Sequence, residues 1–223
     1  MRRLLFAMLS LVILGAALGR AQPLSLDTSR LKATNVTIST ENLSGRDVVK
    51  VVKSSRVTEF DEATFAKITD TRLQNGTIEV KLMSRLRPDA PDFARGFIGV
   101  AFRINEDDTK FECIYLRPTN GRAEDQLRRN RSLQCFSFPD YKFERLRKEA
   151  PGVYETYADM GLGEWITVRI EVSGNKAKLF LNDGKQPALV VNDLKHGDAS
   201  GAIGLWVDVG TEGLFSDLKI RED

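Results

Sequence analysis

The chain is poor in the residues from which reactive sites are usually built. Two cysteines and one histidine in 223 residues leave almost no material for zinc knuckles, histidine-rich metal centres or a thiol relay. His196 stands in the turn Lys195-His196-Gly197-Asp198, where a solvated loop histidine is the ordinary reading. No serine or cysteine lies in a nucleophile motif that this histidine could serve. Long apolar runs are also missing, with one exception at the N-terminus. Met1-Arg2-Arg3, the apolar stretch from Leu4 to Leu18 and the small-residue site Gly19-Arg20-Ala21 read as a secretory signal peptide cleaved after Ala21. A retained anchor is the rival reading, but the run is short for a bilayer-spanning helix. No cysteine near the cleavage point offers a lipid attachment site.

A charge excess is absent as well. Removing Arg2, Arg3 and Arg20 takes the formal charge from +2 to −1, so nucleic acid, which demands a strong positive field, is not an expected partner. The expected location is secreted or periplasmic, with no membrane span left after cleavage. Export permits a disulfide between Cys113 and Cys135. Bonded and free states both stay open at this point, because geometry decides and spacing does not. The sequons at Asn35, Asn42, Asn75 and Asn130 matter only in a host that glycosylates.

Sustained helical periodicity is the last absence, and short alternating segments take its place. Thr77 to Leu86 sets Ile78, Val80 and Leu82 opposite Glu79, Lys81 and Met83, and Trp165 to Val172 sets Ile166, Val168, Ile170 and Val172 opposite Trp165, Thr167, Arg169 and Glu171. Turn signals at Asn75-Gly76, Ser173-Gly174-Asn175-Lys176 and Asn182-Asp183-Gly184 separate such segments. About a dozen strands of this kind over residues 22–223 predict one all-β domain, a two-sheet antiparallel sandwich.

One hairpin organises the expected site. Ile98, Val100, Phe102 and Ile104 alternate with Gly99, Ala101 and Arg103, and Phe111 to Arg117 then sets Ile114 and Leu116 opposite Cys113, Tyr115 and Arg117. If both apolar faces share one core, Arg103, Tyr115 and Arg117 stand together outside it, over a floor of Gly99 and Ala101. That describes a groove. Two charged connections, Pro118 to Arg131 and Pro139 to Gly152, follow as functional covers or as mobile decoration.

The C-terminal half carries a resemblance: Gly163-Glu164-Trp165, Arg169-Ile170-Glu171-Val172-Ser173-Gly174, Leu179-Phe180-Leu181-Asn182, Gly201-Ala202-Ile203-Gly204-Leu205-Trp206 and Phe215-Ser216-Asp217-Leu218-Lys219-Ile220. In this order they resemble the concanavalin A-like lectin/glucanase jelly rolls, among them laminin-G-like modules and the 3-keto-disaccharide hydrolase (DUF1080) family. Gly96 to Arg103 and Phe111 to Pro118 are similar to a secreted branch near that family. The resemblance implies a jelly roll whose concave outer face binds carbohydrate or a glycoconjugate. Activity is less well carried, since the Glu-x-Asp-x-Glu strand of family 16 glycoside hydrolases, which sets paired carboxylates on one face, has no counterpart here.

The expected ligand-binding residues are therefore Arg103, Tyr115, Arg117, Asn120, Arg122 and Gln134, because guanidinium forks, amides and an aromatic ring suit sugar hydroxyls, sugar faces or a uronate carboxylate. Cross-strand pairing on a solvated face is the alternative reading of the same residues. Glu112, Glu155 and Asp208 are weak catalytic candidates. Trp165 and Trp206 are either sugar platforms or packing residues. No cofactor is expected, apart from a rim calcium to which the turn Glu106-Asp107-Asp108 could lend oxygens, a cluster that is more often a hydrated turn. The expected function is a carbohydrate-binding domain, with a glycoside hydrolase or lyase and an adhesion module as alternatives.

Overall fold

A computed structural model describes residues 22–223, so the signal-peptide reading of residues 1–21 lies outside the described residues. In chain order the strands are β1 (Gln22–Pro23), β2 (Leu31–Thr34), β3 (Val36–Leu43), β4 (Arg46–Lys53), β5 (Phe65–Leu73), β6 (Gly76–Leu86), β7 (Ile98–Ile104), β8 (Phe111–Leu116), β9 (Leu133–Phe138), β10 (Glu155–Thr156), β11 (Ile166–Ser173), β12 (Lys176–Leu181), β13 (Leu189–Val191), β14 (Gly201–Val207) and β15 (Thr211–Glu222). Three short helices, α1 (Pro118–Gly121), α2 (Gln126–Arg129) and α3 (Phe143–Glu149), fall in the two charged connections.

All strand pairs are antiparallel and form two sheets. The first runs β13-β12-β11-β6-β15-β4-β3, with β1 added to β15, and the second runs β10-β9-β8-β7-β14-β5-β2. Alternation explains how they meet. Ile166, Val168 and Ile170 pair with Leu82, Val80 and Ile78, and all six are buried. From the other sheet Ile98, Val100, Ile114, Leu205 and Val207 complete the same core. The sheets approach closely at Gly213, where a Cβ would fall 2.4 Å from Val207 Cγ1 and 3.2 Å from Ile98 Cδ1. Each fully buried aliphatic side chain contributes about 1.5–3 kcal/mol of hydrophobic stabilisation. The architecture is the all-β two-sheet sandwich that the alternation predicts.

The departures from expectation are local. Strand character expected over Val153 to Ala158 is confined to β10, whose two residues pair with Leu133 and Gln134 at the sheet edge. The connection Pro139 to Gly152 contains α3, a helix with one buried residue, Leu146, and an Arg145–Glu149 pair on its exposed side. The two cysteines are free. Cys113 pairs in register with Phe136 and Cys135 with Ile114, and that one-residue offset sends the thiols to opposite faces of the sheet.

The larger correction concerns the outer face of the second sheet, which is no open groove. Tyr115 does point away from the inter-sheet core, on the face shared with Gly99 and Trp206. That face is filled with aromatic rings: Tyr115 lies 4.8 Å from Trp206 and 5.8 Å from Phe136, and Phe111 lies 5.3 Å from Phe65 and 5.7 Å from Phe136. All are buried. Gly99 serves this layer rather than flooring a trough, because a Cβ there would sit 2.5 Å from Tyr115 Cβ and 2.3 Å from Ile114 O. The segment before β5 and α3 roof the layer, with Trp206 Nε1 donating to Glu62 O (2.9 Å) and Phe143 N donating to Asp61 Oδ2 (2.8 Å). Trp206 is therefore a packing residue, whereas Trp165 is partly exposed.

Candidate functional site

The roof leaves one opening over the β8 end of the layer. A pocket of about 250 Å³ is lined there by Phe60, Asp61, Phe93, Arg95, Phe97, Tyr115, Arg117, Asn120, Arg128, Arg131, Phe143, Arg147 and Asp208. Five aromatic rings form its walls and five guanidinium groups surround it. Strand alternation puts Tyr115 and Arg117 on one side of β8 and its end, and the two charged connections bring in Asn120, Arg128, Arg131, Phe143 and Arg147.

Arg117 is the centre of this arrangement. It is 5% exposed, donates through Nη2 to the Tyr115 hydroxyl and through Nη1 to Arg131 O (3.4 Å). Its guanidinium carbon lies 5.0 Å from the Tyr115 ring centroid, 5.7 Å from Phe143 and 5.9 Å from Phe97, within the range of cation–π attraction. Asn120 bridges two of the other arginines: Nδ2 donates to Arg131 O (3.1 Å) and Oδ1 accepts from Arg128 Nε (3.3 Å). Burial, then the positive charges of Arg128 and Arg117, hold Arg95 below its ordinary pKa. Burial, then Arg117, does the same to Arg147.

Asp61 is one of two acidic groups lining the pocket. Its backbone takes φ 51, a left-handed conformation that is costly for a residue with a side chain and collects at functional sites. Burial pushes its carboxyl up to about 6, and Asp208 adds to the rise, against the lowering effect of the Phe143 N–H, Arg117 and the Tyr115 hydroxyl. Asp208, a weak catalytic candidate by sequence, holds that backbone in place. Oδ2 accepts from Asp61 N (3.0 Å) and Oδ1 accepts from Val209 N (2.7 Å) and from Lys53 Nζ (2.5 Å).

The remaining sequence candidates fall elsewhere. Arg103 is removed from Tyr115 and Arg117 by the length of the hairpin, since Gly99 and Tyr115 pair at one end and Phe102 and Glu112 at the other. A bulge at that end gives Arg103 a φ of 55 and turns its buried guanidinium onto Gln74 O (2.6 Å), Gly174 O (2.7 Å), Gly197 O (2.5 Å) and Asp198 Oδ1 (3.3 Å). It ties three turns together. Arg122 is exposed and pairs with Asp159 (2.8 Å) and Glu164 (2.5 Å). Gln134 is buried beside Tyr115, with Nε2 donating to Cys135 O and Tyr154 O. Glu112 is buried at the far end, where it accepts from Ser137 Oγ and His196 N. Glu155 stands behind the pocket and pairs with both Arg147 (2.8 Å) and Arg131 (3.4 Å). In the acidic turn, Asp108 is paired with Lys67 and accepts from Thr34. Among the described residues, no group of three or more His, Cys, Asp or Glu side chains is placed to hold a metal ion.

Sequence reading missed Phe60, Asp61, Phe93, Arg95, Phe97, Arg128, Arg131, Phe143 and Arg147. All lie outside the regular strands, where no periodicity reports which way a side chain points.

No protein-family model and no curated protein sequence matches the chain. Solved structures do resemble it. The carbohydrate binding module CBM66 from Bacillus subtilis superposes with a TM-score of 0.50 at 11% identity, over 85% of this chain and 96% of that one. Two structures named as candidate glycosyl hydrolases, from Parabacteroides distasonis ATCC 8503, give 0.53 at 17% identity, over 92% and 100% of the two chains, and 0.50 at 14% identity, over 87% and 89%. At such identities the likeness is one of fold alone, the two-sheet all-β jelly roll.

Proposed function

We propose that this chain is a carbohydrate-binding jelly-roll domain whose site is the arginine-and-aromatic pocket over Tyr115 and Arg117. One observation carries the reading. At the lip of a pocket whose other lining residues are buried or half-buried, Phe93 is 52% exposed and edge-on to Phe60 at 5.6 Å, an apolar plate that a sugar ring can stack on while guanidinium and amide donors reach its hydroxyls. The carbohydrate-binding and candidate hydrolase names of the similar structures agree with this reading. The N-terminal segment fits an exported protein, secreted or periplasmic.

A glycan array with Phe93→Ala as the comparison tests the proposal. Binding should be confined to a discrete set of glycans and should weaken roughly 10-fold in the variant, the order of loss when a stacking face is removed. Binding to no glycan, or binding indifferent to Phe93→Ala and Arg128→Gln alike, would move the site or remove it.

Asp61 supports a second reading, glycoside processing of the 3-keto-disaccharide hydrolase type. A buried carboxyl raised to about 6 suits a general acid. Its neighbour Asp208 is committed to Lys53 and two backbone N–H groups, so a free second carboxylate is not at hand and binding leads over turnover. Release of reducing sugar abolished by Asp61→Asn would reverse that order. A laminin-G-like adhesion role has no particular observation in its favour.

A further inference from the structure

The pocket holds more positive charge than the protein neutralises. Glu155 is the one carboxylate paired with its arginines, and Arg131 and Arg147 share it. Even that pairing is incomplete, since buried Arg131 Nε lies 3.4 Å from Glu155 Oε1 without forming a hydrogen bond. Among the described residues, Arg95, Arg117 and Arg128 have no carboxylate in ion-pairing range. Their nearest partners are neutral: the Tyr115 hydroxyl and Arg131 O for Arg117, Asp92 O and Ala94 O for Arg95, and Asn120 Oδ1 for Arg128. Of the two pocket aspartates, Asp208 belongs to Lys53, and Asp61 accepts from the Phe143 N–H without ion-pairing any of the five arginines.

The other buried cations among the described residues are paired, Lys53 with Asp208 and Lys67 with Asp108. Buried Arg103 has Asp198. A larger concavity of about 730 Å³ over the first sheet carries no excess of positive charge, with Asp217 between Arg46 and Lys81 and Glu79 on Lys219. A guanidinium buried without a counter-charge is costly. An anion from outside the chain would complete it.

Resting on the carbohydrate reading above, we propose that the pocket takes a single acidic sugar residue, whose carboxylate or sulfate ester pairs with Arg117, Arg95 and Arg128. A volume of about 250 Å³ lies just below the roughly 300–1,000 Å³ of sites for drug-sized ligands. One terminal monosaccharide unit enters, and the remainder of the saccharide leaves over Phe93. Guanidinium forks match a planar carboxylate in two-point contact.

Calorimetric titration with a glucuronate-terminated disaccharide, its 6-O-sulfated glucose counterpart, the neutral glucose disaccharide, and inorganic sulfate and acetate decides the matter. The acidic disaccharide should bind at least about 10-fold more tightly than the neutral one, and weaken as salt rises. Arg128→Gln, a change at a half-buried residue, should lower that affinity about 10-fold. Arg117→Gln should lower it further, if its circular dichroism matches the parent, and Arg169→Gln on the other sheet should leave it unchanged. The sulfated sugar binding in place of the uronate identifies a sulfate ester as the acidic group and supports the proposal. Equal binding of neutral and acidic sugars, indifferent to Arg128→Gln, would overturn the acidic preference while leaving carbohydrate binding intact. Sulfate or acetate binding as tightly as the sugar acids would instead overturn the carbohydrate reading and leave an anion site. Absence of binding by every acidic saccharide would overturn the proposal outright.

Discussion

Arg117 donates to the hydroxyl of Tyr115 and lays its guanidinium 5.0 Å from the centroid of the same ring. The two residues are neighbours on one face because a strand returns to that face every second position. The contact holds a cation in place with π-density and a neutral oxygen, with no carboxylate in ion-pairing range.

Such a residue should trade stability for binding. Arg117→Met keeps much of the side-chain volume and removes a buried, uncompensated charge, so unfolding by denaturant should show stability unchanged or raised by about 1–2 kcal/mol. The anionic ligand should be lost in the same variant. A fall of several kcal/mol would mean that the guanidinium is a structural tie.

Tyr115 separates the roles of ring and hydroxyl. Tyr115→Phe keeps the contacts with Trp206 and Phe136 and should cost less than about 1.5 kcal/mol, whereas Tyr115→Ala opens a cavity in the aromatic layer and should cost about 3–5 kcal/mol. Thermal or chemical denaturation of the pair checks this.

Arg103→Ala should behave in the opposite sense to Arg117→Met. It leaves the carbonyls of Gln74, Gly174 and Gly197 short of a donor, each at about 1–3 kcal/mol where burial keeps water out. Stability should drop and ligand affinity in the folded fraction should stay as it was. Reduced affinity at unchanged stability would return Arg103 to the binding site.

Asp61 gives the site a pH dependence whose sign is fixed. Its folded carboxyl titrates at about 6, above the ordinary 3.8, so between these values the native state holds a proton that the unfolded chain has released. The associated stabilisation is complete below about pH 4 and is lost as pH rises through about 6. The groups facing it are Arg117 and Tyr115 from β8 and its end, the Phe143 N–H from α3, and Asp208, itself bound to Lys53. Above pH 6 the ionised carboxylate opposes a bound anion. Affinity for an acidic sugar should therefore rise as pH falls from 7 to 5, and Asp61→Asn should flatten the profile. A pH-independent affinity in the parent protein would contradict the placement of Asp61 beside the ligand.

The sandwich was legible because its inner faces are built from strict alternation. Ile166, Val168 and Ile170 announce both a strand and its buried side, and Tyr115 is assigned to the correct face by the same rule. What alternation could not show is that the opposite face is also covered. Phe60, Phe93 and Phe143 come from connections 33 to 83 residues apart in sequence, and nothing local marks them as converging on Tyr115. Arg103 was misplaced for a different reason: a bulge breaks the period at its own position, so a pattern of two carries the wrong neighbour. The pocket arginines of the charged connections are visible in the sequence as charge, but only the fold tells which of them lack a partner.

The most direct measurement follows the arginine Nε–Hε signals in ¹H–¹⁵N spectra while a glucuronate-terminated disaccharide is added. The signals of Arg117, Arg95 and Arg128 should shift together and saturate with one affinity, while those of Arg103 and Arg122 stay fixed. Shifts confined to Arg122, or to Arg46 over the opposite sheet, would place the ligand elsewhere and contradict the account.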